Sequence, residues 1–153
     1  MNVLSRLITT DSINLNAQAS NRAQAFENAG QFFATKLQIS SDIVLSFLNA
    51  REAMGSTGLG FGVAIPHGRI KGLEEPCAAV FKLQTPIEFG APDGKPVSLL
   101  IFLLVPEKAT QDHLEILAVF AQLLTNPQTR DQLQNETDPE KVRDLICDWE
   151  ALQ

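Results

Sequence analysis

The chain has 153 residues, with 12 lysines and arginines against 18 aspartates and glutamates, for a net charge of -6. That length buries the core of one domain, 1–153, without disulfides or metal, and the acidic balance lacks the clustered basic residues that nucleic-acid binding requires. The longest apolar run, Leu99 to Val105, is seven residues, far below the roughly 18 to 20 that cross a bilayer, so no membrane insertion is expected.

The amino terminus, Met-Asn-Val-Leu-Ser-Arg-Leu-Ile, has no signal-peptide pattern, and a cytoplasmic location is expected. Val3, Leu4, Leu7 and Ile8 have helical spacing, and Ile13 and Leu15 alternate as an edge strand. Ser20 is placed to cap a helix whose Phe26, Ala29, Phe33 and Leu37 form one apolar stripe. Ser40, Ser41 and Asp42 offer a cap for a second helix, with Val44, Phe47 and Leu48 on its inner face and Arg51 at its end. A glycine-rich stretch follows, and then Cys77 to Leu83 reads as a strand, Pro86 to Phe89 as a short extended segment and Asp93-Gly94 as a tight turn. Val97 to Val105, almost without polar atoms, has the pattern of a central strand covered on both faces. Thr110 is placed to cap the next helix, with Leu114, Leu117, Ala121 and Leu124 facing inward, Ile116, Phe120 and Leu123 close beside them, and His113 in its first turn. Asn126-Pro127 breaks the pattern before a short helix from Thr129 to Leu133. Asp138-Pro139 opens a last helix with Val142, Leu145, Ile146 and Trp149 as its buried face, Trp149 serving as an anchor. Cys77 and Cys147 have neither C-x-x-C nor zinc-finger spacing and read as buried small hydrophobes. Helices interleaved with strands predict an α/β fold, a mixed sheet of about four or five strands between helical layers.

The stretch from Arg51 to Arg69 concentrates the chemistry. Gly55, Gly58, Gly60 and Gly62 can turn their amides toward a small anion, with Ser56 and Thr57 adding hydroxyl donors. The spacing fits neither the dinucleotide-binding fingerprint, which leads into a helix, nor the P-loop, which needs a following lysine. Val63, Ala64 and Ile65 form a short strand, and Pro66 keeps Ile65 extended, so His67 is presented at the strand end. Taken singly, the glycines also suit a flexible surface loop and the histidine a hydrogen-bonded core residue. Their combination with Arg51 favours a site.

These residues resemble the type-2 enzyme IIA domain of the phosphoenolpyruvate-dependent phosphotransferase system, the mannitol, fructose and nitrogen-regulatory group. Gly62, Ala64, Ile65, Pro66, His67, Gly68 and Arg69 match the family's histidine context, and Arg51, Glu52, Gly55, Ser56, Thr57 and Gly58 match its upstream motif. The resemblance covers nearly the whole chain. It implies the same α/β sandwich and a stoichiometric phosphotransferase role needing no cofactor or metal. His67 is then the nucleophile accepting a phosphoryl group at Nε2, Arg51 and His113 stabilise that group, and Ser56, Thr57 and Gly58 shape its pocket. The implied donor is a small histidine phosphocarrier, NPr or HPr. Free-standing length and the Met54-to-Gly58 wording resemble the nitrogen-regulatory branch, whose phosphorylation state signals to targets such as potassium transport or sensor proteins. The alternatives are a sugar-specific IIA component feeding a IIB domain and, more distantly, a metal-dependent hydrolase built on His67 and His113. Phe61 stands where the family pattern leads us to expect a smaller or polar residue. With Ile65 it is expected to form an apolar docking rim around His67.

Overall fold

Side chains along Leu99–Val105 divide alternately between two buried clusters. Leu99, Ile101, Leu103 and Val105 join Phe120, Leu124 and Ile146 on one side, while Leu100, Phe102 and Leu104 join Phe26, Phe33 and Leu48 on the other. This period of two is what a strand presents when both its faces are covered. The computed structural model describes residues 2–108 and 111–150. Its strands are β1 (Ile13–Ala17), β2 (Gly58–Gly60), β3 (Val63–Ala64), β4 (His67–Ile70), β5 (Cys77–Ile87) and β6 (Val97–Pro106). Helices α1 (Arg22–Leu37) and α2 (Ser41–Ala53) precede β2, and α3 (Gln111–Thr125), α4 (Pro127–Asn135) and α5 (Pro139–Cys147) follow β6.

The sheet runs β1-β5-β6-β3-β2, with β4 continuing β3 along the same side of β6. β5 and β6 are antiparallel, whereas β1 lies parallel to β5, and β3 and β4 lie parallel to β6. Helices α1 and α2 cover one face, and α3 and α5 cover the other with the amino-terminal turns. The mixed α/β sandwich is therefore as expected, with six strands because the glycine stretch contributes short ones. Phe102 stands edge-on to Phe26 at 5.8 Å and to Phe81 at 5.4 Å between ring centres, geometries worth about 0.5–1.5 kcal/mol each beyond area burial.

Several local expectations change. Val3–Arg6 forms a 3-10 turn, and the cap of α1 is Asn21, whose side chain accepts from the Gln24 amide at 2.8 Å, one residue beyond Ser20. The segment around Pro86 joins β5, which runs to Ile87. In α3 the buried residues are Ile116, Phe120, Leu123 and Leu124, and Leu114 points outward. Helix α4 is longer than expected because Asn126 caps it through the Thr129 amide and Pro127 starts it. Phe47 is 37% exposed, because the close approach of α2 to β4 falls on its backbone and Cβ at Gly68. Position 110 lies outside the described residues, so the proposed cap does too.

Candidate functional site

The site begins where α2 ends. The Gly55 amide donates to the Glu52 carbonyl, and the Arg51 Nη1 donates to the Gly55 carbonyl at 2.8 Å, folding the guanidinium back over the turn. Only one of the five guanidinium N–H donors is used by this bond. Glu52 is buried, and its carboxylate accepts from the Thr57 amide at 2.8 Å and from the Thr57 hydroxyl at 2.6 Å. The Gly58 amide donates to Ser56 Oγ at 3.1 Å. Thr57 and Gly58, expected to shape the phosphoryl pocket, have their donors engaged within the loop. Gly58 is fixed for another reason: a Cβ there would stand 2.9 Å from the Ala91 Cβ.

Beyond Thr57 the glycines do not curl into a single cradle. They form the β2–β3 hairpin, because β3 pairs with β6 and draws the segment into the sheet. Phe61 sits at its turn with φ of 58°, a left-handed conformation uncommon for bulky residues. Its amide donates to Asp93 Oδ2 at 2.9 Å, and the Arg130 guanidinium lies 4.1 Å from its ring centre. The two amides donating to Asp93, from Phe61 and Lys95, hold that carboxyl below its ordinary range. Phe61 is exposed as expected, but it does not rim His67. Val63 is level with Leu99 of β6 and His67 with Leu103, so the turn lies more than about 13 Å away at roughly 3.3 Å per residue. Ile65, the other expected rim residue, is buried.

His67 opens β4, just after Pro66, whose carbonyl accepts from the Leu103 amide at 3.0 Å. The imidazole is half-buried, with Nδ1 2.9 Å from the Ile65 carbonyl oxygen. A carbonyl only accepts, so Nδ1 carries the proton and Nε2 holds the free lone pair. Burial pushes the ring below its ordinary value of 6.5; the Ile65 carbonyl opposes this, Arg51 adds to it, Glu52 opposes it and Arg69 adds again. The balance favours neutral imidazole near pH 7, the form able to attack phosphorus.

Arg51, Glu52 and Arg69 therefore act on His67, with Thr57 one step behind. Glu52 and Arg69 carried no assigned role in the sequence; the visible signal for Glu52 was its place beside Arg51 in the motif. His113 lies in the first turn of α3, half-buried, and lines a cleft with Arg6, Leu7, Glu75 and Ile116. Among the described residues no three His, Cys, Asp or Glu side chains converge as a metal-binding set, so the hydrolase alternative has no ligand cluster there to build on. No described helix is long and apolar enough to cross a membrane.

Residues 6–149 match the family described as phosphoenolpyruvate-dependent sugar phosphotransferase system, EIIA 2. The chain belongs to this family. A nitrogen regulatory protein of Pseudomonas aeruginosa is 36% identical over 146 residues, 95% of each chain. The crystal structure of nitrogen regulatory protein IIA-Ntr from Neisseria meningitidis superposes with a TM-score of 0.91 at 39% identity, covering 95% of this chain and 99% of that one. A fructose-specific EIIA component of Haloferax volcanii is 34% identical over 107 residues, 70% of each. A phosphoryl-transfer role follows from membership of the EIIA type-2 family.

Proposed function

We propose that this EIIA chain is a nitrogen-regulatory component, accepting a phosphoryl group at His67 Nε2 from the phosphocarrier NPr or HPr and signalling through its phosphorylation state. The observation that carries this reading is the Nδ1 contact with the Ile65 carbonyl, which leaves Nε2 as the nucleophile. The new N–P bond forms as the carrier's N–P bond breaks, and that bond's electron pair returns to the carrier's ring. The Nδ1 proton stays in place. Such transfer asks the protein mainly for positioning and for neutralising charge on the equatorial oxygens. Arg51, His113 and the Ser56 hydroxyl take that part, while Thr57 and Gly58 hold the loop. Downstream targets such as potassium transport or sensor proteins fit the nitrogen-regulatory branch, which relatives at 33 to 36% identity over nearly the whole chain support.

The test is incubation with phosphoenolpyruvate, enzyme I and either carrier, followed by intact mass and peptide mapping. One added phosphoryl group on His67, gained faster from NPr than from HPr, is the expected result. Acid-labile phosphate on another residue, with His67 unmodified, overturns it. The sugar-specific reading is favoured by the fructose-specific relative; efficient onward transfer to a purified IIB domain would establish it instead.

A further inference from the structure

Behind the nucleophile lies a continuous set of hydrogen bonds that the transfer chemistry itself does not use. Glu52 is 7% exposed, and a buried carboxylate is costly unless its oxygens are hydrogen-bonded. Both oxygens are served by a single residue, Thr57, through its amide and its hydroxyl. The Thr57 carbonyl accepts from the Ile65 amide at 3.1 Å, and the Ile65 carbonyl faces His67 Nδ1 at 2.9 Å. The path runs from the last turn of α2, through the start of the hairpin, to the back of the imidazole.

We propose that Glu52 is a positioning residue for phosphoryl transfer, holding His67 in the tautomer with a free Nε2 through Thr57 and Ile65. The proposal rests on the reading of His67 as the phosphoryl acceptor. Charge-assisted bonds to the carboxylate are stronger than neutral ones, and they fix Thr57, whose carbonyl in turn sets where Ile65 presents its own. The charged groups facing the ring are Arg51 and Glu52 from the end of α2 and Arg69 from β4. Glu52 supplies the negative charge among them, so its neutralisation leaves the two arginines unopposed and moves the ring's titration further down.

The experiment is nitrogen-15 NMR of the histidine side chains in the full chain, with the two rings distinguished by His67→Gln, combined with single-turnover transfer from phosphorylated carrier. Glu52→Gln keeps the shape but turns an amide N–H₂ toward the Thr57 donors, and Thr57→Val removes the hydroxyl. Wild-type His67 is expected as the Nδ1–H tautomer, and both variants as mixtures with the Nε2–H form. Glu52→Gln is also expected to titrate at lower pH. Transfer should slow roughly 10- to 100-fold in each, by analogy with the outer partners that orient metal-ligating imidazoles. Thr57→Ser, which keeps both donors, should restore tautomer and rate. A wild-type tautomer and titration in Glu52→Gln and Thr57→Val, whatever their stability, would overturn the proposal and leave Glu52 as a loop brace. If Glu52→Gln fails to fold, Thr57→Val decides. If wild-type protein takes no phosphate on His67, the acceptor reading fails while the tautomer comparison still decides what Glu52 holds.

Discussion

At His67 the ring's charge is decided by its surroundings. Burial and two guanidinium groups lower its titration, against the pull of the Ile65 carbonyl and Glu52. Transfer from a phosphorylated carrier should accordingly hold its plateau down to pH values below 6.5, the ordinary imidazole value, and decline only as the ring protonates. A midpoint at or above 6.5 in the pH–rate profile would contradict this. His67→Ala should keep the fold and take no phosphate, read by intact mass and circular dichroism. Arg51→Ala and His113→Ala should slow single-turnover transfer by roughly 10² to 10³ each if they donate to charge developing in the transition state. Arg51→Lys should recover only part, because lysine keeps the charge without the planar fork. Wild-type rates in both alanine variants would return these residues to the scaffold.

In the hairpin, close packing and strain can be separated by two substitutions. Gly58→Ala forces a methyl against Ala91 and should cost about 1–3 kcal/mol, the range for overpacking. Adding Ala91→Gly should recover part of that loss in urea titrations, whereas a Gly58→Ala variant as stable as wild type would show that the loop yields. Phe61→Asn relieves a left-handed conformation that asparagine tolerates and gives up the Arg130 contact, worth about 0.5–1 kcal/mol at an exposed site. These terms offset, so stability should stay within about 1 kcal/mol. Because the turn is level with the far end of β6 from His67, calorimetric affinity for the phosphocarrier should be unchanged. A marked loss of carrier binding would bring Phe61 back to the docking face. The exposed large apolar side chains on the helix leading to Arg51 are Ile43 and Phe47, with Met54 at its cap.

Over the whole molecule the same histidine links stability to pH. Its folded value lies below its unfolded value of 6.5, so the unfolded chain binds the proton more readily. That contribution is fully present above 6.5 and is lost as pH falls from there through the folded value. Between about pH 7.5 and about pH 5, wild type should therefore lose more unfolding free energy than His67→Gln, since the carboxylates common to both cancel in the difference. Equal losses in urea titrations would show that the ring is not penalised when charged. Cys77 and Cys147, both buried, have their thiols raised above the ordinary value chiefly by that burial, in keeping with their reading as buried small hydrophobes.

What the sequence alone determined is what local chain chemistry can express. Nine nearly apolar residues from Val97, stopped by Pro106, have the length and pattern of a strand covered on both faces, Asn126-Pro127 and Asp138-Pro139 carry their own helix starts, and Pro66 places His67 at a strand boundary. Arg51 and His67 were legible as a pair because the motif holds both within one short stretch. Three features were decided only in three dimensions. The glycine stretch became a hairpin because β3 finds its partner in β6, some 35 residues on, and that pairing carried Phe61 away from the site. The donors of Thr57 and Gly58 meet Glu52 and Ser56, contacts that exist only once α2 has ended and the chain has turned back. The tautomer of His67 depends on a carbonyl two residues earlier, yet that carbonyl is aimed by the pairing of Ile65 with Thr57. Backbone hydrogen bonds depend on register rather than side-chain identity, and register is a property of the assembled sheet.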